Sequence, residues 1–223
     1  MTPQTGRLHD QRRLGLLSQV AARTLRTYVQ ATLGEREAVP GVIACVQTFG
    51  SLAHVHPHLH VLITDGAFRR DGAFVPLPTL DPAVLEEAWR RAVLAEFVRR
   101  DWLEEDEAVG MLAWPHSGFG AYLGPPIEDR EDVLRVARYS ARAPVAESRL
   151  RYHAERAEVE LVSDRSEGPY AGVHRMTALE FIARWVDHVP ERYEVRVALR
   201  RRLRHAAVGV VAAARRGAGG SER

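Results

Sequence analysis

Three histidines alternate along one short segment of the chain, His56, His58 and His60, within residues 55–63. The residues between and beyond them are mostly apolar and β-branched, which is typical of a strand whose successive side chains point to opposite faces. The three imidazoles would therefore share one face, while the apolar residues pack on the other. Because neutral imidazole is the commonest side-chain metal ligand, this pattern predicts a metal site on one face of a strand.

A third metal ligand has to come from a neighbouring element. Residues 42–49 form a β-branched-rich strand that should pair with the histidine strand as an antiparallel hairpin. If that hairpin is centred between two residues, Gln47 lies opposite an even-numbered position and shares the histidine face. A one-residue change in the loop would instead place Val46 and Thr48 on the histidine face. His58, His60 and the Gln47 amide oxygen would then form a site with open positions, suited to Mg²⁺ or Mn²⁺ bridged to a substrate phosphate.

A nucleophile for such a phosphate is predicted on a helix over residues 130–142. Tyr139 lies roughly opposite the apolar stripe of this helix, which consists of Val133, Leu134, Ala137 and Ala141. Arg135 and Arg142 lie four residues before it and three after it, on its side of the helix, where cations would hold phosphate and favour the phenolate. The alternative interpretation is a tyrosine whose ring only packs at the helix edge.

Hydrophobic periodicity and capping residues predict the elements that carry these groups. Helices are predicted at residues 11–33, 82–97, 104–114, 130–142 and 178–189, with Asp81 and Thr177 as N-caps. Strands are predicted at residues 42–49, 55–63, 67–68, 73–76 and 117–124, with a polar pair between 149 and 162. The predicted fold class is α+β, one domain with helices packed on a mainly antiparallel sheet.

The composition indicates which kinds of partner, covalent cross-link and cellular location to expect for this chain. The chain has 223 residues and a net charge of +2, and all its basic residues except histidine are arginines, found in clusters compatible with a phosphate backbone or with solvated helix faces. Cys45 is the single cysteine, so an intrachain disulfide and a cysteine-based zinc cluster are excluded. We expect no membrane partner and a cytoplasmic location, because neither a membrane-spanning run nor a secretory signal is recognisable.

Several motifs together resemble a known family. They are 46–50, 56–62, 65–68, 116–119, 137–144 and 179–184, in that order along the chain. Over residues 10–196 the sequence is similar to the two-tyrosine HUH transposases of rolling-circle insertion sequences. The resemblance implies an HUH-type central antiparallel sheet with flanking helices and a single-stranded DNA partner at transposon ends; it leaves the oligomeric state open.

The same resemblance implies roles for individual residues. His58 and His60 would be the metal ligands, and Tyr139 the nucleophile that cuts one DNA strand, leaving a 5′-phosphotyrosine and a free 3′-hydroxyl. The covalent bond would conserve the energy of the phosphodiester, so rejoining would need no ATP. By proximity, Arg138, Arg135 and Arg142 are predicted to bind DNA phosphates. His116 precedes a glycine-rich strand and is a further predicted DNA contact, with His54 and His56 as spare candidates.

The chain also departs from the family pattern. The second tyrosine expected four residues before Tyr139 is replaced by Arg135, which puts a mechanism alternating two tyrosines in doubt. We expect a catalytic domain over residues 1–196 without the family's N-terminal zinc-binding domain. Residues 197–223 lose the expected aromatic residues and are predicted to be a basic tail, disordered or frameshifted.

The sequence alone leaves two alternative functions open. One is an inactivated remnant of a transposase that still folds and only binds DNA through its arginines. The other is a histidine-triad nucleotide hydrolase, because residues 56–62 satisfy its His-x-His-x-His pattern, with His58 as a nucleophile that needs no metal. A chelator separates the second alternative from the transposase hypothesis, since only the transposase reaction would stop.

Overall fold

A computed structural model describes residues 11–116, 118–127, 129–189, 197–200 and 207–214. Its helices are α1 (Gln11–Leu33), α2 (Pro82–Arg99), α3 (Glu105–Leu112), α4 (Arg130–Ser140) and α5 (Ala178–Val186). Its strands are β1 (Val42–Phe49), β2 (Val55–Thr64), β3 (Gly66–Phe68), β4 (Phe74–Pro76), β5 (Phe119–Ile127), β6 (Leu150–His153), β7 (Glu158–Val162), β8 (Val173–Thr177), β9 (Val197–Arg200) and β10 (Ala207–Ala214).

Among the described residues, the largest sheet has five strands in the order β5-β10-β2-β1-β9. Every neighbouring pair in it is antiparallel, and β1 and β2 form the predicted hairpin near its centre. Helices and separate antiparallel sheets together give the α+β class that the sequence predicts. Two further sheets are smaller, β3-β4 and β6-β7-β8.

The main core lies between the central hairpin and two helices. Alternate residues of β1 and β2 face it, with Leu59 and Ile63 almost wholly buried, and Val20 of α1 and Trp89 of α2 pack in the same cluster. Since strand side chains alternate, burying this face leaves the histidines of β2 on the opposite face of the hairpin. The hydrophobic core therefore sets which face carries the site.

A second, smaller core lies at the tip of the hairpin. Leu52 and Ala53, in the turn between β1 and β2, pack with Leu161 of β7 and Met176 of β8. Aromatic residues of α5 pack against this cluster. The three-stranded sheet and α5 thus support the turn that leads into the histidine strand.

Helix starts agree with the capping residues. The Asp81 carboxylate accepts hydrogen bonds from the backbone N–H groups of Ala83 and Val84 at the start of α2, and the Thr177 hydroxyl accepts one from Glu180 at the start of α5. Helix α5 ends at Val186, three residues before its predicted end. None of the helices in the described part of the chain has the length and apolar character needed to cross a membrane.

The structure corrects the prediction of a tail without regular structure after residue 196. Within that segment, residues 197–200 and 207–214 form β9 and β10, and β10 lies between β5 and β2. Residues 207–214 are all alanine, valine or glycine, so β10 lacks the apolar–polar alternation by which strands are recognised. Strand β8 is also additional to the prediction. The hypothesis of a frameshifted C-terminus stays a prediction.

Candidate metal and nucleophile site

The register of the central hairpin decides which residues of β1 face the histidines. Gln47 pairs with His58, and Cys45 pairs with His60. The odd-to-even pairing that the placement of Gln47 depended on is therefore confirmed. Because directly opposite residues of an antiparallel pair project on the same side, Gln47 joins the histidine face.

Three donor atoms converge on that face. His58 Nε2 lies 3.1 Å from His60 Nε2, and His60 Nε2 lies 3.2 Å from Gln47 Oε1. Neighbouring ligands of one octahedral Mg²⁺ ion are about 3 Å apart, given metal–ligand distances of about 2.1 Å. The two imidazoles and the amide oxygen therefore have the spacing of a set of ligands to one ion.

The protonation of the two histidines suits that role. Burial is the main cause that lowers the pKa of His58, and it lowers the pKa of His60 to about 4. His58 Nδ1 lies 2.8 Å from the backbone carbonyl oxygen of His56. Since a carbonyl only accepts, Nδ1 carries the proton of the neutral ring and Nε2 keeps its lone pair. The neutral His58 ring thus has a free Nε2 lone pair, which is the form that binds metals.

The orientation of the Gln47 amide is determined by its other contacts. Its Nε2 donates hydrogen bonds to the carbonyl oxygens of Tyr139, at 2.9 Å, and Ser140, at 3.0 Å. Two carbonyl acceptors require the NH₂ group at that end, so Oε1 has to point toward His60. Gln47 is only 2% exposed, and this buried amide therefore joins the histidine face to the end of α4.

Tyr139 lies beside the candidate ligands. Its ring meets the ring of His60 edge-on, with centroids 5.3 Å apart, and its side chain is 47% exposed. The guanidinium carbon of Arg142 lies 4.3 Å from the centroid of the tyrosine ring, and Arg142 Nη1 donates to Asp164 Oδ2 at 3.3 Å. A tyrosine open to solvent, a cation against its ring and two neutral histidines thus occupy one small region.

The contact face of α4 differs from the predicted apolar stripe. Leu134, Ala137 and Ala141, which were expected to pack inward, are exposed, whereas Ser140 is buried. The helix packs against a polar face of the sheet, where hydrogen bonds from Gln47 replace the apolar contacts assumed from periodicity. This rotation of the helix accounts for the contact between Tyr139 and His60.

The other predicted site residues are more dispersed. The Arg135 guanidinium bonds to Asp132 at 2.7 Å, one turn earlier on α4, and Arg138 is exposed on the same helix. His116 is exposed on the loop before β5. Of the predicted DNA contacts, Arg142 is the one that the structure brings against Tyr139.

Asp164 was not singled out from the sequence. It lies in the loop after β7, and its carboxylate is 3.3 Å from Arg142 and 3.5 Å from Arg149. The contact with Arg142 joins residues 22 positions apart in the chain, and no local pattern would have indicated it. Asp164 is thus an acidic group that pairs with the arginine against the Tyr139 ring.

Cys45 faces the same side of the hairpin as the histidines but differs from them chemically. Burial raises the pKa of its thiol, which therefore stays protonated and is a poor metal ligand. Among the described residues, no group of three or more histidine, cysteine, aspartate or glutamate side chains could hold a metal ion. A metal on this face would therefore depend on the amide oxygen of Gln47 as the ligand beside the two imidazoles.

Comparisons with known proteins agree on one family. The model of the family Y2_Tnp, described as "Putative transposase", matches residues 41–213, a range that includes the hairpin, α4 and most of β10. The chain is also similar to "Putative transposase y4qJ" of Sinorhizobium fredii, with 29% identity over 194 residues, 78% of this chain and 48% of the relative. The chain thus spans about half the length of that curated relative. No solved structure gives a significant match.

Proposed function

The chain belongs to the two-tyrosine HUH transposase family, and from this premise we propose that it cuts and rejoins single-stranded DNA at transposon ends through a covalent bond to Tyr139. The observation that carries the proposal is the convergence of His58 Nε2, His60 Nε2 and Gln47 Oε1 beside the Tyr139 ring. A nucleophile and a set of metal ligands are the two parts that such a reaction needs.

His58, His60 and Gln47 would hold one Mg²⁺ or Mn²⁺ ion, which when bound would withdraw charge from the DNA phosphate and orient it. Their fit to an ion rests on the spacing of the three donor atoms and on the neutral state of both imidazoles. The hydrogen bond from His58 to the His56 carbonyl holds the first ring in the tautomer that leaves Nε2 free. These residues would thus position the phosphate within reach of the helix that carries Tyr139.

In the proposed reaction the Tyr139 hydroxyl oxygen attacks the scissile phosphorus. A bond from oxygen to phosphorus forms, the bond from phosphorus to the 3′ oxygen breaks, and the phenolic proton ends on that 3′ oxygen in the net reaction. The product is a 5′-phosphotyrosine and a free 3′-hydroxyl, and reversal of the same step joins strands without ATP. Arg142, whose guanidinium lies against the tyrosine ring, would bind the charged phosphate during both steps.

The position expected to carry a second tyrosine is Arg135, whose side chain is exposed and paired with Asp132. Tyr139 would therefore act as a single nucleophile within one chain. A cycle that needs two simultaneous covalent bonds would need a second copy of the chain or a sequence of separate reactions.

The proposal is tested by mixing purified protein with labelled single-stranded DNA carrying the transposon ends, with Mn²⁺ and, separately, with a chelator. We expect a DNA-linked protein band on a denaturing gel that requires the metal and disappears in Tyr139→Phe. Tyr122→Phe is a matched control, because Tyr122 is also exposed but lies on β5. A band that survives in Tyr139→Phe would overturn the assignment of the nucleophile.

The same experiment separates the proposal from an inactive remnant. If folded protein binds the DNA but forms no covalent band at any Mn²⁺ concentration, the chain is an inactive remnant that only binds DNA. A nucleotide hydrolase would instead turn over small nucleotides in the presence of chelator.

A further inference from the structure

The row of rings on the histidine face continues well beyond the candidate metal site. Successive ring centroids lie 5.3, 4.8, 5.4, 5.8 and 4.9 Å apart. The rings in this order are Tyr139, His60, His58, His56, His54 and Tyr170. The row thus leads along β2 from the nucleophile to a second tyrosine at the far end of the hairpin.

The last pair in the row is a stack. The rings of His54 and Tyr170 are inclined by only 18°, the arrangement in which flat rings cover each other's faces. Tyr170 is nevertheless 46% exposed, so its remaining surface is open to solvent. An exposed tyrosine supported from behind by an imidazole presents a flat surface for another ring.

The position of His54 is built into the turn between β1 and β2. A Cβ added at Gly50 would lie 2.2 Å from His54 Cε1, so the imidazole packs where only a glycine leaves room. The Gly50 N–H donates to the His54 carbonyl at 2.9 Å, and Ala53 has a positive φ of 52°, which closes the turn tightly. His54 is therefore held in place independently of Tyr170.

Arginines surround the same turn. Arg165 Nε donates to the Ser51 hydroxyl at 2.9 Å, and Arg149 Nη2 donates to the Ser51 carbonyl at 3.0 Å. Burial lowers the pKa of His54, and the charges of His56, Arg165 and Arg184 lower it further. His54 is therefore a neutral ring beside cationic side chains, the combination by which proteins stack bases and hold phosphates of single-stranded nucleic acid.

Building on the proposed function, we propose that Tyr170 and His54 form a stacking platform for a base of the DNA strand that is cut at Tyr139. Arg165 would hold a phosphate next to that base, whereas the guanidinium of Arg149 is already bound to Val162, Ser51 and Asp164 and supports the turn. The row of histidines connects the platform to the candidate metal site and Tyr139, so the strand would run along β2, with a base on the platform and the scissile phosphate at His58 and His60. Stacking tolerates any base, so the platform would orient the strand without reading its sequence.

Binding measurements with two probes test the platform. One is a fluorescein-labelled thymidine oligonucleotide of about 12 nucleotides, within the site sizes known for single-strand binders. The other is an abasic oligonucleotide of equal length, which keeps the phosphates but has nothing to stack. We expect Tyr170→Ala to weaken binding of the thymidine probe about tenfold and to leave the abasic probe unchanged, whereas Tyr170→Phe behaves as wild type on both probes.

Two further variants serve as controls. Tyr152→Ala removes a tyrosine that is 60% exposed on β6, a strand of the sheet whose connection between β7 and β8 carries Tyr170, and should change neither affinity. Arg165→Ala should weaken both probes, because it removes a phosphate contact. Equal affinities of Tyr170→Ala and Tyr170→Phe for the thymidine probe would overturn the platform, as would wild-type protein that binds neither probe.

The gel test for the covalent bond to Tyr139 keeps the two proposals distinguishable. If wild type forms no covalent band but Tyr170→Ala still loses affinity for the thymidine probe alone, the cutting reaction fails and the platform stands. If the band forms and Tyr170→Ala binds as Tyr170→Phe does, the platform fails and the cutting reaction stands.

Discussion

Gln47 Nε2 donates a hydrogen bond of 2.9 Å to the backbone carbonyl of Tyr139, across 92 residues of sequence. The same amide presents its oxygen to His60. One buried side chain therefore joins the helix of the candidate nucleophile to the candidate metal ligands. A shift of α4 would therefore move the Gln47 amide, and with it the oxygen that faces His60.

Removing this amide should affect both stability and reaction. We expect Gln47→Leu to lower the free energy of unfolding by about 1–3 kcal/mol, because the carbonyls of Tyr139 and Ser140 lose their buried donor. The covalent band should weaken as well, since the position of α4 is no longer fixed. Thermal unfolding and the rate of band formation are the measurements. Unchanged stability would mean that the two carbonyls find other partners.

His60→Ala separates loss of a ligand from loss of the amide contacts. The hydrogen bonds between Gln47 and α4 remain possible in this variant, while one of the converging donor atoms is absent. We expect the affinity for Mn²⁺, measured by calorimetry, to fall at least tenfold. His174→Ala is the control, because His174 lies on β8, outside this group. Equal Mn²⁺ affinities of both variants would contradict the metal site.

Arg142 is expected to need its planar guanidinium as well as its charge. The group lies against the Tyr139 ring and bonds to Asp164, and a lysine ammonium cannot reproduce that flat contact. Arg142→Lys should slow formation of the covalent band about tenfold or more. Arg138→Lys, on the exposed side of the same helix, should change the rate little. Similar rates for the two variants would mean that Arg142 contributes only its positive charge and not its planar shape.

Glu96 provides a prediction about stability and pH. Hydrogen bonds from Arg99 and Arg100 are the main causes that lower its pKa to about 2, and Arg23 of α1 lies 3.1 Å from its carboxylate. Because the folded-state pKa lies below the unfolded value of about 4.3, this contribution is present above pH 5 and is lost as pH falls toward 2.

We therefore expect Glu96→Gln to be less stable than wild type by about 1 kcal/mol at pH 7, a modest amount because the arginines are largely exposed. The difference should shrink toward zero between pH 5 and pH 2 in thermal unfolding experiments. Glu37→Gln, which removes the exposed ion pair of Glu37 with Arg70, should show a smaller difference. If the stability difference between wild type and Glu96→Gln is the same at all pH values, the charge of Glu96 does not cause it.

Local sequence patterns were sufficient for the hairpin and for the face of the candidate site. The predicted and observed bounds of β1 coincide, and those of β2 differ by one residue. The placement of Gln47 stayed conditional on the loop, and the structure decided it by pairing Gln47 with His58. The bounds of the two strands and the shared face of His56, His58 and His60 did not depend on that condition. Such features depend on side-chain alternation and on residues close together in the chain, so they can be read without a structure.

Other features required the tertiary structure. Periodicity put Leu134 and Ala137 on the buried face of α4, whereas the packed helix buries Ser140 and places Tyr139 against His60. Strand β10 was missed because an internal strand of small apolar residues has no alternation to detect.

The sequence by itself determined which residues could do the chemistry and on which face of the hairpin they lie, because alternation along a strand is a local property. Only the tertiary structure decided the rotation of α4, the two hydrogen bonds from Gln47 and the pairing of Arg142 with Asp164. These contacts join residues that are 22 to 93 positions apart. Their geometry depends on how whole elements pack, and side-chain periodicity within one element carries no information about that packing.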